Sequence, residues 1–151
     1  MKVQETKIPG MMLIDLDVYR DTRGSFLECY QKERYKEHGI NVDFVQDNHS
    51  HSTKNVLRGM HFQINHPQGH LVYVVRGDIF DVGVDIRRGS PTFGQWQGFR
   101  LSESRPQQLF LPAGVAHGFC TLSDKADILY KCTDYFDSDD EGGLLWCDSD
   151  L

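Results

Sequence analysis

No apolar run in this chain of 151 residues approaches the roughly 20 needed to cross a bilayer. The opening MKVQETKIPGMMLIDLDVY has no long apolar core ahead of a small-residue cleavage site, so no secretory signal is expected and a cytoplasmic location is the default. Cysteine is scarce: Cys29, Cys120, Cys132 and Cys147 are scattered without a CxxC pair. That pattern excludes a disulfide framework or a structural zinc site and predicts buried free thiols. Positive charge is also short, with 16 Lys and Arg against 22 Asp and Glu, a formal net charge of −6 and no basic block. Nucleic-acid binding through a phosphate-neutralising patch is therefore disfavoured, although a few placed arginines suffice for a small anion.

The chain is long enough for a core without staples, and 39% hydrophobic and 25% charged residues suit one globular domain over residues 1–151. Short segments rich in aromatic and β-branched residues dominate it: SFLECYQ, DFVQDNHSH, NVLRGMHFQ, HLVYVV, DIFDVGVDI, QWQGFRL, QQLFLP, AHGFCTL and ADILYKCTDYF. Turn signals such as DTRG, VRGD, RRGSP and PAG separate them. One helix is predicted in QKERYKEHG, with Gly39 suited to follow its end. DSDDEGG, residues 137–143, reads as an exposed loop. Many even strands and little helix predict an all-β sandwich or barrel, most simply a jelly roll. Alternation turns one face of each strand inward, where polar side chains are costly unless they bond a ligand or one another.

Five clusters carry polar chemistry. DTRGSFLE places Phe26 and Glu28 two apart, on one face of a strand, with Arg23 at the turn. FVQDNHSHS alternates an amide face (Gln46, Asn48) with a face of Asp47, His49 and His51. LRGMHFQ holds Arg58 and His61 on opposite parities unless Gly59 marks a bulge that resets them. LPAGVAHGF carries a P-x-G-x-x-H string ending at His117, and ILYKCTDYF carries Tyr130 and Tyr135. The three histidines His61, His66 and His70 suggest a metal, but no carboxylate follows His61 before Gly77, so no metal is expected.

In order along residues 20 to 146, DTRGSFLE, FVQDNHSHSTKNVLRGMHFQ, QGHLV, VDIRRGSPTFG, LPAGVAHGFCTLSD, YKCTDYF and EGGLLW resemble the dTDP-4-dehydrorhamnose 3,5-epimerase family. The resemblance implies a cupin jelly roll with one or two short helices, working as a homodimer without metal or organic cofactor. Such enzymes invert C3 and C5 of a nucleotide-diphospho-4-keto-6-deoxyhexose in deoxysugar biosynthesis for surface polysaccharide such as lipopolysaccharide O-antigen. By motif, His61 matches the base that removes the proton α to the ketone, and Tyr130 the acid that returns one from the opposite face. Arg58 matches a sugar and phosphate contact, and His70 and His117 are further candidate substrate-binding residues. Arg23, Phe26, Glu28, Gln46, Asn48 and Tyr135 match positions around the nucleotide, some of them contributed by a partner subunit.

Two departures follow from the same resemblance. Where the family reads QxKLV, this chain has Gln68-Gly69-His70-Leu71-Val72, so a histidine, with one hydrogen bond to donate when neutral, replaces a lysine expected near the keto oxygen. Typical members run on beyond the position of Leu151 to an aspartate that pairs with the catalytic histidine. Asp81, Asp85 or Asp127 is expected to replace it. Two other readings remain: a 3,4-ketoisomerase on similar substrates, and a nucleotide-sugar-binding cupin without catalysis.

Overall fold

A computed structural model describes residues 1–151. Thirteen strands and one helix follow in the order β1 (Lys2–Glu5), β2 (Met12–Asp15), β3 (Tyr19–Asp21), β4 (Gly24–Phe26), α1 (Lys32–Glu37), β5 (Gln46–Thr53), β6 (Leu57–Gln63), β7 (His70–Arg76), β8 (Asp78–Asp85), β9 (Trp96–Ser102), β10 (Gln107–Leu111), β11 (Val115–Thr121), β12 (Lys125–Cys132) and β13 (Glu141–Gly143). All pairings are antiparallel. One sheet runs β1-β2-β10-β7-β12-β5, the other β13-β6-β11-β8-β9, and β3-β4 forms a separate hairpin. The expected all-β sandwich is what forms.

Period-two patterning explains the layers. Val72 and Val74 of β7, Leu109 and Leu111 of β10, and Ala126 and Ile128 of β12 turn inward from the first sheet. Ile79, Leu101, Val115 and Phe119 meet them from the second. At roughly 1.5–3 kcal/mol per buried large apolar side chain, this shared layer is the main source of cohesion. The outer face of the six-stranded sheet is covered by α1, whose Tyr35 packs with Ile40 onto Leu71 and Phe110. Gln31 caps the helix start by accepting from the Arg34 amide, and at the other end Gly39 follows the cap residue His38 with φ +88°, as predicted.

Three expectations need correction, and two N-terminal strands go unpredicted. SFLECYQ is not one strand: only Gly24–Phe26 pairs, so Phe26 and Glu28 do not share a strand face. The N-terminal strands β1 and β2, four residues each, carry too little alternation to stand out. In DSDDEGG, Asp140 is buried and Glu141–Gly143 joins β6 as an edge strand. The Asp140 carboxylate accepts from the Asn65 and His66 amides, which turns this segment inward. Of the cysteines only Cys132 is buried, whereas Cys29 and Cys147 are exposed.

Candidate active site

A cavity of about 440 Å³ is lined by inward-facing residues of both sheets. From the six-stranded sheet come Gln46, Asn48 and Ser50 of β5, His70 of β7 and Tyr130 of β12. From the five-stranded sheet come Arg58, His61 and Gln63 of β6, His117 and Phe119 of β11, and Glu141 of β13. Gln68, Pro67 and Phe136 close its rim from loops. The volume is typical of a small-ligand site.

Arg58 and His61 reach this cavity together because the strand is irregular between them. Opposite β11, Arg58 pairs with Phe119 and His61 with His117, so the register shifts across Gly59. Gly59 has φ +100°, and a Cβ there would sit 2.4 Å from the His117 carbonyl oxygen and 2.6 Å from Gly118 Cα. Only glycine tolerates both conditions. The bulge reverses the parity, so Leu57 and Met60 turn to the opposite face of the sheet, where Met60 packs with Val84 and Ala116, while Arg58 and His61 line one wall of the cavity.

Arg58 is the one Lys or Arg lining the cavity. Its Nε donates to Ser52 Oγ at 3.0 Å and its Nη2 to the His51 carbonyl at 3.4 Å, which leaves guanidinium N–H groups for an anion. His61 makes no hydrogen bond to any of the three candidate aspartates. Asp81 is taken by His117 Nε2 at 2.9 and 3.1 Å, Asp85 by Arg87, Ser90 and Thr92, and Asp127 by His49 and His51. The expected carboxylate partner of His61 is therefore absent from all three. Burial, with His117 beside it, depresses His61 to about 4, so it stands neutral near pH 7. Burial raises Tyr130 above its ordinary value, so its phenol keeps its proton.

The rings of His61, His70, His117 and Tyr130 form a continuous cluster. Centroids lie 5.9 Å apart for His61–His117, 5.5 Å for His70–His117 and 5.8 Å for His70–Tyr130. The amide face of β5 is ordered by its own bonds, Gln46 Nε2 to Asn48 Oδ1 at 3.1 Å and Asn48 Nδ2 to Cys132 Sγ at 3.4 Å.

Residues 5–151 match the dTDP-4-dehydrorhamnose 3,5-epimerase family. The chain belongs to that family. It is 51% identical to the dTDP-4-dehydrorhamnose 3,5-epimerase of Salmonella typhimurium over 150 residues, 98% of this chain and 82% of the relative. Identity to the enzyme of that name from Neisseria gonorrhoeae is 48% over 98% of this chain, which spans only 45% of that longer relative. Among solved structures, the dTDP-6-deoxy-D-glucose-3,5-epimerase of Legionella pneumophila, crystallised with dTDP-4-keto-L-rhamnose, superposes with a TM-score of 0.97. Identity there is 48%, covering 99% of this chain and 80% of that one.

Of the residues that the epimerase-family motifs single out, Gln46, Asn48, Arg58, His61, His70, His117 and Tyr130 meet in one cavity. The other four do not. Arg23 and Phe26 sit on the β3-β4 hairpin, with Phe26 69% exposed, and line a separate surface cleft with Tyr19 and Arg20. Glu28 accepts from Arg34 at 2.7 Å. Tyr135 is exposed and lines a neighbouring shallow site with His66 and Asp134. Sequence reasoning missed Ser50, Ser52 and Gln68 as contributors to the cavity and its arginine. It also mispaired Asp81, whose place on the inward parity of DIFDVGVD was the available signal.

Proposed function

We propose that this chain, as a single cupin domain, epimerises a dTDP-linked 4-keto-6-deoxyhexose at C3, C5 or both. The observation that carries the reading is that His61 and Tyr130 stand on different sheets and line the same cavity. Inversion requires proton removal on one face of a carbon and delivery on the other, and two groups on opposing walls suit that task. His61, held neutral, takes the proton α to the ketone, and the electron pair moves onto the ketone oxygen as an enolate. Tyr130, held protonated, returns a proton to the opposite face, and solvent restores both groups. Atoms balance as an isomerisation. Arg58 supplies the fixed positive charge for the diphosphate, and His117, oriented by buried Asp81, lies beside both His61 and His70.

Incubation with dTDP-4-keto-6-deoxyglucose in D2O should place deuterium at C3 or C5, read by NMR. His61→Ala should lower that exchange by about 10²–10⁴-fold, the usual range for losing a general base. Absence of exchange with the native chain, while the nucleotide sugar binds, would leave the non-catalytic binding reading.

The working form in this reading is a cytoplasmic homodimer. Its support is the exposed hairpin: Phe26 and Tyr19 are uncovered aromatics suited to stacking on a base, and exposed Arg23, whose Nε and Nη2 donate to Asp21, keeps its Nη1 N–H groups for a phosphate of a nucleotide held by a second copy. No helix is long and apolar enough to cross a membrane.

A further inference from the structure

Residues 134–137 form a strap at the cavity rim that no strand holds. No backbone group of Asp134, Tyr135 or Phe136 pairs with the backbone of another residue. Side-chain amides of three glutamines hold the strap instead. Gln68 Nε2 donates to the Asp134 carbonyl at 2.7 Å, and Gln46 Oε1 accepts from the Phe136 amide at 3.1 Å. Gln63 makes three bonds. Its Nε2 donates to the His66 carbonyl at 2.7 Å and the Tyr135 carbonyl at 3.2 Å, while its Oε1 accepts from the Asp137 amide at 2.7 Å. Carbonyls against one end of the amide and an N–H against the other leave the group a single orientation. Gln63 is also the buried one of the three, on the cavity wall two residues after His61.

A segment without strand pairing has little stability of its own, so its position follows from what anchors it. The strap sets Phe136 into the rim of the cavity with 53% of its surface exposed. His61, His117 and Tyr130 line the space between the two sheets. An aromatic ring at the mouth therefore stands toward the other end of a long ligand, and its face suits a flat base. We infer that Gln63 is a positioning residue: through the strap it holds Phe136 against the base of the bound nucleotide sugar, and it takes no part in moving protons. This rests on the nucleotide-sugar reading of the same cavity. Its consequence is that the strand carrying His61 also sets the grip on the distant nucleotide, through one side-chain amide.

Gln63→Met keeps the length of the side chain and removes all three bonds. Its Kd for dTDP should rise by about tenfold, the scale of one base–aromatic stack, while its Kd for inorganic diphosphate, which has no base, stays within about twofold of native. KM for the dTDP-sugar should rise by a larger factor than kcat falls. In a Phe136→Ala chain, which has already lost the ring, adding Gln63→Met should cost dTDP little more. Equal weakening of dTDP and diphosphate, a loss confined to kcat, or costs that add in the double variant would overturn the inference. Each of those outcomes assigns Gln63 to general folding or to the chemistry. In the native chain, exchange of the Asp137 amide with solvent deuterium should slow on adding dTDP and not on adding diphosphate. Equal slowing by both, or none, overturns the inference even where Gln63→Met fails to fold. A native chain that does not bind dTDP sinks the nucleotide-sugar reading and this inference with it. One that binds dTDP without the base-dependent pattern sinks this inference alone.

Discussion

At the residue scale, the two proposed proton carriers are shifted in opposite senses by one cause. Desolvation disfavours the charged form of each, which lowers the histidine and raises the tyrosine. His61 must be neutral to act, and its folded value of about 4 keeps it so well below the ordinary imidazole value of 6.5. The acid limb of kcat/KM should therefore fall through about pH 4, with no loss between pH 7 and 6, as a pH–rate profile of solvent exchange would show. A limb near 6.5 would mean that the substrate or a partner subunit brings His61 a compensating charge. The low value also makes His61 a weak base, so stabilisation of the enolate carries more of the barrier. For Tyr130→Phe, deuterium exchange should persist, since His61 can return a deuteron to the face it came from. Inversion should fall by about 10²–10⁴-fold. NMR separates the two outcomes, because deuterium would enter with retained configuration.

At the scale of elements, the decisive piece is the irregular turn in β6. Two side chains three apart share a wall because Gly59 takes a left-handed conformation pressed against β11. Gly59→Ala should destabilise the chain by about 2–4 kcal/mol, the range of severe backbone and overpacking substitutions. The change is read as a lower urea midpoint. Exchange activity should fall further than the unfolded fraction accounts for, since Arg58 and His61 move with that turn. Asp140 acts on the next connection, capping the Asn65 and His66 amides, while Gln63 bonds the His66 and Tyr135 carbonyls. Both ends of the cavity rim are thereby tied to the strand that carries His61.

At the scale of the whole molecule, the two halves of the motif set do not meet within one chain. The cavity holds the polar cluster, and the hairpin with Arg23 and Phe26 stands apart with its aromatics exposed. If the hairpin serves a second copy's cavity, His61→Ala and Arg23→Ala lie in complementary subunits. Mixing the two weakly active variants should restore about a quarter of native activity: half of randomly assorted dimers are mixed, and each has one intact site of two. An assay after subunit exchange checks this, and no recovery would place each hairpin at its own chain's cavity.

What the sequence by itself determined is local. Period-two alternation specified the strands from β5 to β12, Gly39 the end of the helix, and the alternating amide and imidazole faces of β5, because each depends on neighbours one to four residues away. The order of motifs also sufficed to place the chain in its family. Tertiary structure decided the rest. The parity of Arg58 and His61 depends on a contact between Gly59 and a strand nearly sixty residues later. The partner of His117 depends on which aspartate β8 brings across the ladder. The acceptor that Gln68 offers His70 depends on its amide nitrogen being held by the Asp134 carbonyl, just past the end of the neighbouring strand β12 and 66 residues later in the chain. Alternation says which side chains turn inward, but hydrogen-bond partners and burial arise only when distant strands close around the same space.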